Sequence, residues 1–378
     1  MRWLDEAISS YIKEDVYPFH MPGAKRQNPG LKGDPFLYDI TEIDEFDDLR
    51  NPDGLLAVLE REWAKMYGAK EALLSVNGST GGNLSCIFAA ADEGETVLVA
   101  EGAHWSVYNA AKLHHLRIVD IPVEKGEEGF FQAVSPEAVE EALKMHEKVR
   151  AVIITTPTYE GMVSEVSEIA DIIHRRDVSL IVDGAHGAHF GLAKNQKKDG
   201  YENPIHLGAD VVVVSLHKTL PVFGQTSLIL FGNTDKENPR VSVAAVKHYL
   251  NMFQTSSPSY LLMSGAAAGC RFLQENGETL WPELIQNLEE FYRETESLHF
   301  FQVVKNKNHD RSKIIVSTKN AGISGHELMK RLRKEYSLEL ERSGSYYALA
   351  LCSIMDRREG FQRLARALQK LEKEIGGG

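Results

Sequence analysis

The chain has 378 residues, 43% of them apolar, which is enough for one large α/β domain with a smaller companion. Acidic residues outnumber basic ones 54 to 42 for a formal net charge of -12, an argument against nucleic acid or an anionic membrane as partner, since both reward Lys/Arg clusters. Cys86, Cys270 and Cys352 are too scattered for a CxxC metal site or a disulfide framework, and neither a leader-like apolar segment nor an apolar run near ~18 residues occurs, so a cytoplasmic, non-membrane protein is expected.

In chain order, residues 2–14 read as a short amphipathic helix with Trp3, Leu4, Ala7, Ile8, Tyr11 and Ile12 on one side. A loop rich in Pro and Gly follows from Tyr17 to Pro35, then an acidic stretch from Asp39 to Asp48, then a helix from about Asp53 to Tyr67. The acids at 42–48 either draw a cationic substrate toward a site or simply cap that helix.

From residue 72 short apolar runs alternate with helical stretches: 72–76, 96–100, 117–121, 151–156, 179–183, 210–215 and 227–231. Strands buried on both faces look like this, and helices between them predict right-handed crossovers and a mostly parallel sheet. Beyond residue 285 the pattern becomes α+β. A helix is predicted near 283–298, strands at 313–317, 337–341 and 346–353, and helices at 325–336 and 357–374. The expected division is an N-terminal segment 1–52, a large domain 53–285 and a small α+β domain 286–378.

Ligands on a parallel sheet sit just beyond the carboxyl ends of the strands, so the residues there carry the chemistry. Ser75-Val-Asn-Gly-Ser-Thr-Gly-Gly-Asn83 opens an apolar helix. Its free N–H groups, Gly81 included, and the Ser79 and Thr80 hydroxyls form a phosphate cradle at the positive helix end, although an N-capped turn explains it equally well alone. Asp183 ends an apolar run and is followed by His186 and His189. It could hold a ring nitrogen, orient a histidine or bind metal, but this HxxH lacks the Glu of a metalloprotease motif, so no metal is expected.

Lys218 comes three residues after Ser215, the end of the run Val211–Ser215, where by itself it could equally cap the strand and reach water. A lysine placed there loses its charge easily, and a neutral amine is what Schiff-base chemistry requires. Ser215 and His217 beside it could add donors to a phosphate, and His104, after the run 96–100, could stack on a flat ring. Phosphate cradle, stacking ring, strand-end acid and strand-end lysine at one sheet edge form the layout of a pyridoxal 5'-phosphate (PLP) site.

The segments PFHMPGAKR (18–26), DITEIDEFDDLRNPDGLL (39–56), VNGSTGGN (76–83), TTPTYEGMVSEVSEIA (155–170), IVDGAHGAHFG (181–191), SLHKTLP (215–221) and GISGHELMKRLRKEYSLELERSGSYYALALCSI (322–354) resemble the bacterial ornithine/lysine/arginine decarboxylase family over nearly the whole chain. The resemblance implies an α/β, fold-type I (aspartate aminotransferase-like) large domain and a smaller α+β domain. It implies PLP on Lys218, Asp183 at the pyridine nitrogen, and His104 and Ala185 on the two ring faces. Ser79, Thr80, Ser215 and His217 would serve the phosphate, with Gly81 and His186 among the cofactor residues and Glu341 near the cationic end of the substrate. The implied reaction is α-decarboxylation of a basic amino acid in a homodimer whose site lies at the interface.

Departures from the pattern are also expected to matter. The chain reads as a short form without the wing domain and the usual C-terminal region, and Ala24, Trp105, Gly184 and Gly224 differ from the family's usual residues. They leave open a redirected PLP reaction (transamination, elimination, replacement or oxidation) or a non-catalytic PLP-binding partner subunit.

Overall fold

A computed structural model describes residues 13–43, 45–193, 202–232 and 239–376. The helix expected at 2–14 lies outside the described residues except for its last two. The elements in chain order are β1 (Tyr17–Phe19), α1 (Leu55–Tyr67), β2 (Glu71–Ser75), α2 (Gly78–Ala90), β3 (Thr96–Ala100), α3 (Trp105–Leu113), β4 (Arg117–Ile121), α4 (Pro136–Met145), β5 (Val149–Thr155), α5 (Val166–His174), β6 (Ser179–Asp183), β7 (Val211–Ser215), α6 (Leu216–Thr219), β8 (Ser227–Phe231) and α7 (Val243–Phe253). They continue with α8 (Tyr260–Glu294), β9 (Gln302–Val303), β10 (Lys313–Ser317), α9 (Gly325–Tyr336), β11 (Leu338–Leu340), β12 (Arg342–Ser343), β13 (Tyr347–Leu351) and α10 (Arg358–Gly376).

The large sheet has seven strands in the order β2-β8-β7-β6-β5-β3-β4. Its strands alternate between two cores, with Leu98, Val152, Leu180 and Val212 on one face and Val97, Ala151, Ile181 and Val213 on the other. This period of two with both faces apolar is what parallel strands covered by helices require. β8 is the exception, pairing antiparallel with both β2 and β7. Its sequence reads like the others because an apolar run carries no direction. The consequence is that Ser75 and Ser215 both pair with Ser227, so the carboxyl ends of β2 and β7 lie at one edge.

The first helix is set by Asp47, whose carboxylate accepts from the backbone N–H groups of Asp53, Gly54 and Leu56. That favours the capping role for this member of the acidic stretch. Helix α8 runs for 35 residues, beginning well before the predicted 283. Its first half holds Gly265 and Gly269, poor helix formers. Both are needed, since a Cβ would come within 2.4 Å of Phe223 at one and of Val222 at the other. Tertiary packing here outweighs local propensity.

A second, antiparallel sheet has four strands in the order β12-β13-β10-β9, while β1 pairs in parallel with β11. Among the described residues no helix is long and apolar enough to cross a membrane.

Helix α2 lies so close to the sheet that a Cβ on Gly82 would sit 2.6 Å from Val213 Cγ1. Gly82→Val should therefore destabilise the fold by about 1–3 kcal/mol through overpacking. Urea unfolding checks this, and an unchanged midpoint would show that the helix can lift at no cost.

Candidate active site

The common edge of the parallel strands gathers the singled-out residues. Ser215 Oγ donates to Ser79 Oγ over 2.8 Å, joining the end of β7 to the first turn of α2. Gly78 there has φ +67° and open space where a side chain would be, so the turn is left clear. Thr80 is exposed, but Gly81 is buried and its N–H donates to the Asn77 carbonyl at 3.3 Å within the helix, so it is not one of the free donors expected of this turn. His217 spends its Nδ1 proton on the Thr226 carbonyl at 3.2 Å. Burial lowers its pKa, so it would serve a phosphate as a donor only once protonated.

Asp183 is 2% exposed and held from both sides: Oδ1 accepts from the Ala185 N–H at 3.1 Å and Oδ2 from Asn83 Nδ2 at 3.0 Å. Asn83 donates its other proton to Ser106 Oγ at 2.9 Å, and Ser106 Oγ lies 2.9 Å from His104 Nδ1. The same His104 nitrogen accepts from the Ser106 backbone N–H at 3.2 Å as the N-cap of α3. Read donor to acceptor, the chain runs from Asn83 to Ser106 to His104 and leaves the His104 proton on Nε2. Asp183 and His104, far apart in sequence, are thus oriented by one buried amide.

Lys218 is half-buried on α6, with its amine 2.9 Å from His186 Nε2. Burial lowers its pKa, opposed by the charges of Asp183 and Glu341. His186 is buried, and its Nδ1 lies 2.9 Å from Lys313 Nζ. Burial and then the two lysine charges hold its pKa well below 6.5, so it is neutral. His189 turns away to Asp310, 3.1 Å from its Nε2, so the two histidines do not converge as a ligand pair.

Glu341 is half-buried, its carboxylate accepting from Tyr159 OH at 2.6 Å and from the Met21 N–H at 2.7 Å. The Tyr159 ring lies 4.5 Å from that of His186, so this carboxylate belongs to the same site. Glu160, next to Tyr159 in the chain, accepts from Tyr347 OH at 2.7 Å and pairs with Arg342 at 3.7 Å. Of the altered positions, Trp105 and Gly224 face solvent, while Gly184 packs against Val212 on the sheet. Ala24 follows Gly23, whose N–H donates to the His217 carbonyl at 2.8 Å.

Sequence reasoning missed Asn83, Ser106, Tyr159 and Lys313. Asn83 stood at the end of the cradle run, and an amide at the start of an apolar helix was its signal. Lys313 opens the predicted strand 313–317, where a charged residue gives no sign of burial, yet every residue of β10 is buried.

Asn83→Ala should cost about 1–3 kcal/mol, because Asp183 and Ser106 each lose a buried donor. Denaturant unfolding of the cofactor-free protein measures it, and no loss would mean another group holds Asp183. For Asp310, burial alone raises the pKa, but His189, Lys313 and Ser312 outweigh it and hold it at about 2, below its ordinary 3.8. The folded pKa is the lower one, so this stabilisation is complete above the ordinary value and is lost as pH falls toward 2. It amounts to about 2 kcal/mol. Asp310→Asn should flatten the acid limb of Tm against pH, and an unaltered limb would refute the assignment.

A family model described as "Orn/Lys/Arg decarboxylase, major domain" matches residues 4–317. The arginine decarboxylase of Halalkalibacterium halodurans is 28% identical over 97% of this chain and 76% of its own length. That of Bacillus subtilis is 26% identical over the same shares. Among solved structures, the Francisella novicida lysine decarboxylase LdcF superposes with a TM-score of 0.75 at 19% identity, over 91% of this chain and 54% of its own. The constitutive lysine decarboxylase of E. coli gives 0.72 at 21% identity, over 98% of this chain and 60% of its own. The chain thus spans little more than half the length of these solved lysine decarboxylases, whose likeness establishes the α/β fold. Together with the match over most of the sequence, it follows that the chain belongs to the Orn/Lys/Arg decarboxylase major-domain family.

Proposed function

We propose that the chain decarboxylates a basic amino acid (arginine, lysine or ornithine) at Cα, giving an amine and CO2, with PLP as cofactor. The observation that carries this is Asp183. It is a buried carboxylate with two hydrogen bonds and, among the described residues, no Lys, Arg or His within ion-pair distance. Such a group is costly without a cation, and the pyridinium nitrogen of PLP is one. The rest of the edge fits the same group. Lys218 would hold it covalently, Ser79, Thr80, Ser215 and His217 would take its phosphate, and His104 and Ala185 would cover its faces.

When bound, PLP supplies an electron sink for the pair left behind as a bond to Cα breaks. The chain's own residues do the rest. Asp183, fixed by Asn83 and Ala185, would keep the ring nitrogen protonated. The Lys218 amine would deliver a proton to Cα. Glu341 would offer negative charge to the distal ammonium or guanidinium of the substrate. The names of the relatives, arginine and lysine decarboxylases, support a basic substrate.

A homodimer completing the site is part of this reading. The exposed His104 and the exposed apolar side chains Phe36, Leu37 and Trp105 support a covering partner copy. The three cysteines are buried and free, which suits a reducing cytoplasm.

The PLP-loaded protein, offered arginine, lysine and ornithine, should yield by mass spectrometry an amine lighter than one of them by CO2. Lys218→Ala should remove the visible absorbance of the bound cofactor and slow the reaction by about 10²–10⁴-fold or more. Keto acid, ammonia or peroxide in place of the amine would overturn decarboxylation while leaving the cofactor assignment intact.

A further inference from the structure

His186 is the middle of a line of three nitrogens. Lys218 Nζ lies 2.9 Å from its Nε2, and Lys313 Nζ lies 2.9 Å from its Nδ1. Lys313 is 0% exposed and, among the described residues, has no carboxylate within ion-pair distance. Lysines are rarely buried so completely. The backbone is shaped around this one: at Gly161, φ +97°, a Cβ would sit 2.8 Å from Lys313 Cγ.

The proton count of this line is restricted by its geometry. A neutral imidazole has one N–H and one lone pair, and an ammonium is a donor only. Two ammonium groups flanking His186 would force one N–H to face another. The line is satisfied when one lysine is charged and the other is a free amine.

Building on the reading of Lys218 above, we infer that Lys313 is the proton store for Lys218, exchanging a single proton with it through His186. In one arrangement the Lys218 ammonium donates to Nε2 while Nδ1–H donates to the Lys313 amine. Transfer moves one proton from Lys218 to Nε2 and one from Nδ1 to Lys313. The imidazole changes tautomer, no electrons leave the system, and net charge is unchanged. Lys218 thereby becomes a nucleophilic amine without releasing its proton to solvent, and the reverse transfer recharges it for donation.

The surroundings keep the two ends in balance. Asp183 and Glu341 face Lys218, while Asp310, Glu341 and Glu160 face Lys313, and His104 and His217 add to the field at His186. Burial pushes Lys313 down to about 8 and also lowers Lys218. Lys313 is a positioning residue, acting on the chemistry only through His186.

The test uses cofactor-free protein mixed with pyridoxal phosphate across roughly pH 6 to 10. It reads the pH midpoint for growth of the visible cofactor band, which reports the free-amine fraction of Lys218. Lys313→Met removes both store and neighbouring charge and should raise the midpoint by about one unit or more. Lys313→Arg cannot release its proton, fixes Nδ1 as acceptor, turns Nε2–H toward Lys218 and should lower the midpoint. Opposite shifts are not what a merely structural lysine would give.

An unmoved or lowered midpoint in a folded Lys313→Met protein overturns the relay, as does a midpoint for Lys313→Arg at or above wild type. Should Lys313→Met not fold, Lys313→Arg decides alone. Lys218→Ala run alongside separates the two ideas. If its band persists, the assignment of Lys218 fails; if its band is lost while the Lys313 midpoints stay put, only the relay fails.

Discussion

Parallel alignment of β2, β3, β6 and β7 is the constraint on which the rest of the molecule depends. Each strand ends at the same edge, and each end carries one component: Ser79 after β2, His104 after β3, Asp183 at the end of β6 and Lys218 after β7. β8 serves this edge by running the other way, so that Ser227 lies level with Ser75 and Ser215. The crossover helices then bury both faces, and the polar groups have nowhere to converge except beyond the strand ends.

Burial at that edge makes each polar group depend on a particular neighbour. Asp183 rests on Asn83, Asn83 also serves Ser106, and Ser106 orients His104. On the other side His186 stays neutral because burial, and the lysines on either side of it, disfavour a charge on its ring. In water these contacts would be worth little. In a low-dielectric site they decide which tautomer and which charge state exist.

The second sheet takes part directly. Lys313 of β10 reaches His186 beyond β6, and Glu341, between β11 and β12, meets Tyr159 beyond β5. Met21, beyond β1, adds its N–H to Glu341. The N-terminal segment, large sheet and small sheet therefore share one constellation.

Much of this was legible in the sequence. Largely apolar runs marked the strands at 96–100, 179–183 and 227–231, because a strand covered on both faces has little freedom to be polar. Lys218, Asp183 and the cradle stood out because charged or hydroxyl residues beside such runs are unusual. The direction of β8 was not legible, since a buried run reads the same either way. Helix α8 was cut short in prediction because its glycines answer to Phe223 and Val222 rather than to helix propensity. Asn83 and Lys313 take their meaning from partners at Asp183 and His186, one hundred residues or more away. The sequence by itself determined the position of most strands and the fold class, because burial and local pattern are written residue by residue. Only the tertiary structure decided which buried groups touch, because hydrogen-bond partners across a sheet edge leave no mark at any fixed spacing along the chain.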